Sequence, residues 1–178
     1  DNKWIIFHDN NLKRLTEIDK DIINVNYINL PEIKYNGNTY KITLLEELTK
    51  LDFKNKLLNL EIKSLYNISR RSKNDLIKIV SKINTNILIS SFYWDWYKWC
   101  KTKKIEFGFL IEDKKLPQVE DSEKNYFIID YNLLNDPYFQ YKINKILNIR
   151  ICCYTLNNKS NINYPYYIEI WDNYSLNL

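Results

Sequence analysis

The sequence predicts an α/β fold built on a mainly parallel sheet, and three observations support this prediction. Short apolar, β-rich runs recur along the 178 residues, and helix-like segments separate several of them. Most of these runs are continuous rather than alternating, as expected for strands that are buried on both faces. Strand, helix and strand in repeated succession are typical of right-handed βαβ units, so either a doubly wound sheet or a (β/α)8 barrel follows.

Seven runs are predicted as strands and four segments as helices. The strands are WIIFH (4–8), LLNLEIK (57–63), NILISSF (86–92), IEFGFLI (105–111), NYFIIDY (125–131), IRICCYT (149–155) and YYIEIW (166–171). The helices are 43–56, 72–83, 93–104 and 136–148, where apolar residues recur at helical spacing. The last helix has a specific start signal, because Asp136 can cap it and Pro137 suits its first position. The polar segment 157–163 is predicted as a surface loop.

Composition and charge narrow the classes of function. We expect residues 1–178 to form one domain, because a chain of this length with 45% hydrophobic residues can bury a core without disulfides or metals. The net charge is only +4 and the basic residues are spread along the chain, so we expect no nucleic-acid partner. No apolar run approaches the ~18 residues of a membrane span. Three cysteines without framework spacing favour a reducing, cytoplasmic location.

Several kinds of site lack the residues that they need. Gly37 and Gly108 are the two glycines of the chain, so there is no Gly-rich phosphate loop, which weakens the nucleotide-binding version of the doubly wound fold. One histidine and three scattered cysteines make no zinc site. No second histidine is present to form a nucleophilic triad with Ser90 or Ser91.

The ends of the predicted strands supply the candidate functional residues. In both architectures, functional groups collect at the carboxyl ends of the parallel strands. The residues at these ends are His8 and Asp9, Glu61 and Lys63, Ser91 and Phe92, Tyr154 and Thr155, and Trp171 and Asp172.

Glu61 and Lys63 lie two residues apart on a predicted strand, so their side chains share one face. A carboxylate suits a divalent metal, because hard cations prefer oxygen ligands, and an ammonium suits an anionic substrate group. The alternative is a simple ion pair at the end of the strand. Two charged residues on one strand do not by themselves decide between these interpretations.

His8 is the only histidine of the chain. An imidazole titrates near neutral pH, so His8 is a candidate for proton exchange with a leaving oxygen. Asp9 then either orients the imidazole or caps the following turn. The alternative is a structural histidine that is hydrogen-bonded to a neighbour.

Five motifs, taken in order, give the chain a resemblance to one family. An HD pair followed by Leu and an Arg-Thr-like segment lies in WIIFHDNNLKRLT (4–16). KITLLEEL (41–48), LLNLEIK (57–63), ILISSF (87–92) and ICCYTLNN (151–158) follow it at comparable spacing. Together these motifs resemble the glycerophosphodiester phosphodiesterase family along nearly the whole chain. The resemblance implies a (β/α)8 TIM-type barrel and an enzyme of lipid metabolism.

The resemblance also implies roles for particular residues. His8 corresponds to one of two acid/base histidines and is the implied catalytic residue. Glu61 is the implied ligand of a divalent metal, Mg²⁺ or Ca²⁺, and Lys63 the implied phosphate contact. Phe92 and Tyr154 are the implied substrate-binding residues. The implied reaction is the metal-dependent hydrolysis of a glycerophosphodiester to glycerol 3-phosphate and an alcohol. A lysophospholipid head group is the other possible substrate.

Parts of the family pattern are absent from the sequence. An HRG strand, an ENT helix start and an ELDV-type strand would precede residue 1. By this resemblance we expect an N-terminally truncated barrel that lacks its first two βα elements, so that residues 1–178 alone are inactive. Tyr154 also replaces the usual Trp of the family, and IWDNY (170–174) replaces ITDYP, which leaves the choice of substrate open.

A degenerate, non-catalytic barrel that acts as a binding or assembly module is the alternative function. Retention of His8, Glu61 and Lys63 favours the enzyme, because charged groups in the mouth of a barrel cost stability unless they are satisfied or used. The sequence gives no indication of the oligomeric state.

Overall fold

The computed structural model describes residues 1–54, 56–63, 68–120 and 124–154, together with the backbone of residues 169–170. These residues fall into two units, one of residues 1–58 and 63–86 and the other of residues 59–62 and 87–178. In the described part of the chain, no helix has the length and apolar character needed to cross a membrane.

The first unit consists of short strands and helices. Its elements are β1 (Ile5–Ile6), α1 (Lys13–Thr16), β2 (Glu32–Tyr35), β3 (Asn38–Lys41), β4 (Thr43–Leu44) and α2 (Arg70–Val80), with 3-10 helices at Ile22–Asn24, Tyr27–Asn29 and Leu45–Lys50. β1 pairs with β4 and β2 pairs with β3, both antiparallel. α2 begins where the Ser69 hydroxyl accepts a hydrogen bond from the Ser72 N–H at 3.1 Å, which satisfies one free amide of the first turn.

The β2–β3 hairpin was not predicted from the sequence, although its turn has a specific signal. Asn36 and Gly37 join the two strands with φ values of 48° and 75°. Two consecutive left-handed residues are what a two-residue hairpin turn requires, and Asn-Gly is the pair that adopts them most readily.

The second unit is built on a six-stranded sheet. Its strands are β5 (Leu57–Glu61), β6 (Asn86–Ser91), β7 (Glu106–Ile111), β8 (Asn125–Asp130), β9 (Ile149–Tyr154) and β10 (Glu169–Ile170), and its helices are α3 (Asp95–Thr102), α4 (Tyr131–Leu134) and α5 (Pro137–Ile143). The strands from β6 to β10 pair in parallel. The spatial order of the six strands follows their order in the chain, whereas a doubly wound sheet reverses its order at one point.

Aromatic packing holds α3 against one face of this sheet. The Tyr97 ring of α3 lies 5.0 Å from the Phe109 ring of β7, and Phe109 lies 5.6 Å from Phe127 of β8. Phe109 and Phe127 are almost fully buried. Burial on this scale is what the continuous apolar runs require, because both faces of a central parallel strand are covered.

The central strands and three helices confirm the sequence predictions. The strands predicted from 57 to 155 are present and end within two residues of their expected bounds. α3 and α5 lie within the predicted segments 93–104 and 136–148, whereas α2 (Arg70–Val80) overlaps the predicted segment 72–83 and begins two residues before it. The Asp136 carboxylate caps α5 by accepting from the Phe139 N–H at 2.8 Å. Residues 169–170 form a strand within 166–171. The predicted loop 157–163 lies outside the described residues.

The strand predicted at 4–8 is wrong in its extent and its pairing. Only Ile5 and Ile6 form a strand, and they pair antiparallel with Leu44 and Thr43. The Ile6 side chain is 42% exposed, whereas a strand inside a parallel sheet is buried on both faces. His8 therefore does not follow a strand of the parallel sheet.

The helix predicted at 43–56 is also wrong. Thr43 and Leu44 form β4, and only the 3-10 helix Leu45–Lys50 follows. Leu45 is the one buried side chain of that helix. A single buried residue does not provide the apolar stripe that stabilises an amphipathic α-helix.

The tight packing around Gly108 leads to a first prediction. A Cβ atom added at Gly108 would lie 2.6 Å from Ile128 Cδ1 and 3.4 Å from Leu88 Cδ2. We therefore expect Gly108→Ala to lower the free energy of unfolding by about 1–3 kcal/mol, because the buried neighbours must shift. Chemical denaturation followed by circular dichroism measures this change.

Ser90 provides the matched control, because it pairs with Gly108 in the strand register. Its Oγ atom is buried without a hydrogen-bond partner in the described part of the chain. Ser90→Ala removes this unsatisfied hydroxyl, so the free energy of unfolding should stay constant or rise by about 1 kcal/mol. Equal destabilisation by both substitutions would contradict the steric explanation.

Candidate functional site

His8 in the first unit contacts two charged side chains, one at each ring nitrogen. Nδ1 lies 2.7 Å from Asp9 Oδ1, and Nε2 lies 3.0 Å from Lys63 Nζ. The imidazole is 71% exposed, so packing alone does not hold it. The proton-transfer and phosphate-binding candidates from the sequence, His8 and Lys63, are thus in direct contact although 55 residues separate them.

Asp9 connects His8 to Arg14. Arg14 Nε donates to Asp9 Oδ2 at 2.6 Å, and Arg14 Nη2 donates to Asp9 Oδ1 at 2.9 Å. This paired geometry is the strongest form of an arginine–carboxylate contact. Hydrogen bonding to Arg14, followed by that to His8, lowers the pKa of Asp9 from 3.8 to about 2. Asp9 is therefore a carboxylate throughout the neutral range.

The backbone around Leu12 explains why Arg14 reaches Asp9. Leu12 is buried, its N–H donates to the Lys20 carbonyl at 2.9 Å, and its own carbonyl accepts from Thr16 Oγ1 at 2.8 Å. These contacts fix the start of α1, in which Arg14 is the second residue. The side chain of Arg14 therefore projects from a short helix that is anchored at both ends.

Glu61 in the second unit is the last residue of β5. The next N–H, that of Ile62, donates to the Ser90 carbonyl of β6 at 2.8 Å. Glu61 Oε1 and Ser90 Oγ are both buried. A carboxylate oxygen at the end of a strand is the kind of group that hard divalent cations prefer as a ligand.

Phe92 and Tyr154 contact each other through their rings. The two ring centroids are 6.3 Å apart and the rings are inclined by 80°, an edge-to-face arrangement. Phe92 is positioned by the turn after β6, where Ser91 Oγ donates to the Ile62 carbonyl at 2.7 Å and accepts from the Tyr93 N–H at 3.1 Å. The two substrate-binding candidates thus form one half-buried aromatic pair.

The Tyr154 hydroxyl donates to the Ile111 carbonyl at 3.3 Å and experiences the negative charge of three acidic residues. Burial raises the pKa of Tyr154, and the negative charges of Asp130, Glu112 and Glu61 raise it further. Tyr154 is therefore a neutral phenol and a hydrogen-bond donor at physiological pH. Glu112 and Asp130 were not among the predicted site residues, although Glu112 directly follows β7 and Asp130 ends β8, positions that the strand-end rule covers.

The described side chains do not include a complete set of metal ligands. Among residues 1–54, 56–63, 68–120 and 124–154, no three His, Cys, Asp or Glu side chains lie close enough together to hold a metal ion. Glu61 by itself is insufficient, because Mg²⁺ and Ca²⁺ take six or more oxygen ligands.

The structure divides the candidates between the two units. His8 and Lys63 belong to the first unit, and Glu61, Phe92 and Tyr154 belong to the second. Thr155, Leu156, Asn157, Trp171 and Asp172 lie outside the described residues. Arg14 was not identified as a functional residue, because its contact with Asp9 depends on the path of the loop and not on a periodic spacing.

Comparison with known proteins gives one match to a family. The model of the glycerophosphoryl diester phosphodiesterase family matches residues 1–171. No curated protein matches the chain. The family match includes all the candidate residues that the structure describes.

The lowered pKa of Asp9 leads to a prediction about acid stability. A carboxyl whose pKa is depressed by folding stabilises the protein fully above its ordinary value of 3.8 and loses that effect as the pH falls through about 2. We expect Asp9→Asn to lower the free energy of unfolding by at most about 2 kcal/mol at pH 7, and the difference from wild type to vanish near pH 2. Urea denaturation at pH 7, 4 and 2 measures it.

Asp19 serves as the control because its ion pair with Lys13 is exposed on both sides. Asp19→Asn should change stability little at any of the three pH values. If Asp9→Asn and Asp19→Asn change the free energy of unfolding equally at all three pH values, the hydrogen bonds of Asp9 with Arg14 and His8 do not stabilise the protein.

Proposed function

This chain belongs to the glycerophosphoryl diester phosphodiesterase family, and we propose that it hydrolyses glycerophosphodiesters to glycerol 3-phosphate and an alcohol. The substrate is a small glycerophosphodiester or the head group of a lysophospholipid. Family membership supports phosphodiester hydrolysis in general. The finer assignment of residues depends on the chemistry of the His8 cluster.

The contact between His8 and Lys63 is the observation that carries the proposal. Phosphodiester hydrolysis needs a cation for the anionic phosphoryl oxygens and a group that transfers protons near neutral pH. Lys63 is a point charge suited to phosphate, and imidazole is the side chain that exchanges protons in this pH range. Both requirements are met by two side chains 3.0 Å apart.

In the proposed reaction, Lys63 binds a negatively charged phosphoryl oxygen of the substrate. Water supplies the hydroxyl that forms the new bond to phosphorus, and the bond from phosphorus to the alcohol oxygen breaks. Neutral His8 accepts at Nε2 the proton that the attacking water loses, and it then gives that proton to the departing alkoxide, so that the Nε2 lone pair is restored. Phe92 and Tyr154 are proposed as substrate contacts, because they lie at the carboxyl ends of β6 and β9, where functional groups collect.

A divalent metal remains part of the proposal, with Mg²⁺ or Ca²⁺ as the ion and Glu61 as one ligand. The buried Oε1 atom of Glu61 supports this role. Because the described residues do not supply a complete ligand set, no step of the reaction is assigned to the metal.

We also propose that the sheet belongs to a (β/α)8 TIM-type barrel. The family membership and the sequential order of β5 to β10 support this fold. Neighbouring strands of such a barrel follow one another along the chain.

A cytoplasmic location is proposed from the cysteines. Cys100, Cys152 and Cys153 are free thiols and all three are buried. Reduced cysteines are typical of a compartment in which disulfides do not persist.

A non-catalytic binding module is the second candidate function. It is favoured by the finding that the described residues contain no group of three metal-binding side chains. The activity test below separates the two candidates.

The catalytic prediction is tested with two proteins, residues 1–178 and the product of the gene read from its start codon. We expect the gene product to hydrolyse glycerophosphocholine in the presence of Mg²⁺ or Ca²⁺. His8→Asn should lower kcat at least about 100-fold, because it removes the proton-transfer group. Residues 1–178 alone should be inactive, since one candidate carboxylate does not hold the metal. Release of glycerol 3-phosphate measures the rate.

Lys103→Gln is the control, because Lys103 is an exposed residue next to α3 and has no role in the proposal. It should leave kcat and KM unchanged. A gene product that binds glycerophosphocholine without hydrolysing it would favour the binding module. Full activity in His8→Asn would exclude His8 as the proton donor.

A further inference from the structure

Arg14, Asp9, His8 and Lys63 form a continuous chain of hydrogen bonds in the first unit. Lysine is a hydrogen-bond donor without acceptor capacity. Lys63 therefore donates to His8 Nε2, and that nitrogen carries a lone pair. In the neutral imidazole the proton then lies on Nδ1, which donates to Asp9 Oδ1.

The side chain that holds Asp9 in this arrangement is Arg14. Its planar guanidinium donates to both oxygens of Asp9, at 2.6 Å and 2.9 Å, so the plane of the carboxylate is fixed as well as its position. Asp9 is only 19% exposed, whereas His8 is 71% exposed. The more rigid carboxylate is thus the anchor for the more exposed ring.

We propose that Arg14 is a positioning residue for His8: by holding Asp9 in two hydrogen bonds, it selects the Nδ1–H tautomer and directs the Nε2 lone pair towards Lys63. Proton exchange with a substrate then takes place at Nε2. This consequence for catalysis rests on the proposed function, whereas the tautomer itself does not depend on it.

A purely structural salt bridge between Arg14 and Asp9 is the competing explanation. Exposed ion pairs contribute about 0–1 kcal/mol to stability, and Arg14 is 63% exposed. A structural role would make Arg14→Gln less stable but would leave the tautomer of His8 as it is. The two explanations therefore differ in a quantity that can be measured directly.

The experiment uses the imidazole of His8, which is the only histidine in residues 1–178. Its two ¹⁵N signals therefore need no assignment to a residue. At about pH 8.5 an ordinary histidine is neutral, and the ¹⁵N chemical shifts then report which nitrogen carries the proton. We expect wild type to be mainly the Nδ1–H form and Arg14→Gln to shift towards the Nε2–H form.

Two further variants complete the test. Arg14→Lys retains the charge but not the planar pair of donors, so its tautomer ratio should fall between those of wild type and Arg14→Gln. Lys13→Gln is the matched control, because Lys13 lies in the same helix and pairs with Asp19 instead of Asp9. It should show the wild-type ratio. Far-UV circular dichroism establishes that each variant is folded, and Arg14→Lys decides if Arg14→Gln is unfolded.

The inference is overturned if wild type is mainly the Nε2–H form, or if the folded Arg14 variants show the wild-type ratio. In the gene product, Arg14→Gln should lower kcat about 10- to 100-fold with little change in KM. The substitution misplaces the imidazole of His8 but leaves the phosphate contact of Lys63 in place. A gene product without any hydrolytic activity would refute the proposed function, and the NMR result would still decide the role of Arg14.

Discussion

Burial of the parallel strands on both faces is the constraint on which the second unit depends. Strands β6 to β9 consist largely of side chains that solvent does not reach, and Phe109 and Phe127 pack from strand to strand beneath α3. Since the side-chain period of a strand is two, a register shift by one residue would move every buried side chain to the opposite face. The register that brings Asp130 beside Tyr154 is therefore fixed by the apolar core and not by the polar residues at the strand ends.

The first unit is organised by a different interaction. Its strands have only two to four residues, and β2 and β3 are almost entirely exposed. Backbone pairing of this length contributes little rigidity in water. Side-chain hydrogen bonds supply rigidity that the short strands lack. Around His8, the bidentate contact between Arg14 and Asp9 has the strongest geometry.

The parts of the fold that the sequence predicted are those in which burial alone determines the conformation. The runs 105–111 and 125–131 are apolar without interruption, and both became central strands. WIIFH (4–8) has a similar composition, but composition does not specify a pairing partner, and β1 pairs with β4 instead of entering the sheet. The strand-end rule identified Glu61, Phe92 and Tyr154 as candidates, and they lie at or directly after the ends of β5, β6 and β9. The strand-end rule does not identify Arg14, since the contact between Asp9 and Arg14 depends on where α1 begins.

The short β1 strand also explains why the His8 cluster needs so many polar contacts. The sheet fixes the position of a functional side chain that lies at the end of a buried strand. Such rigid elements hold a side chain more accurately than loops do. His8 lies two residues beyond a strand of only two residues, and its ring is largely exposed. Its orientation therefore has to come from side-chain bonds at both nitrogens. Asp9 and Lys63 provide these bonds, and Arg14 fixes the carboxylate plane of Asp9 by donating to both of its oxygens.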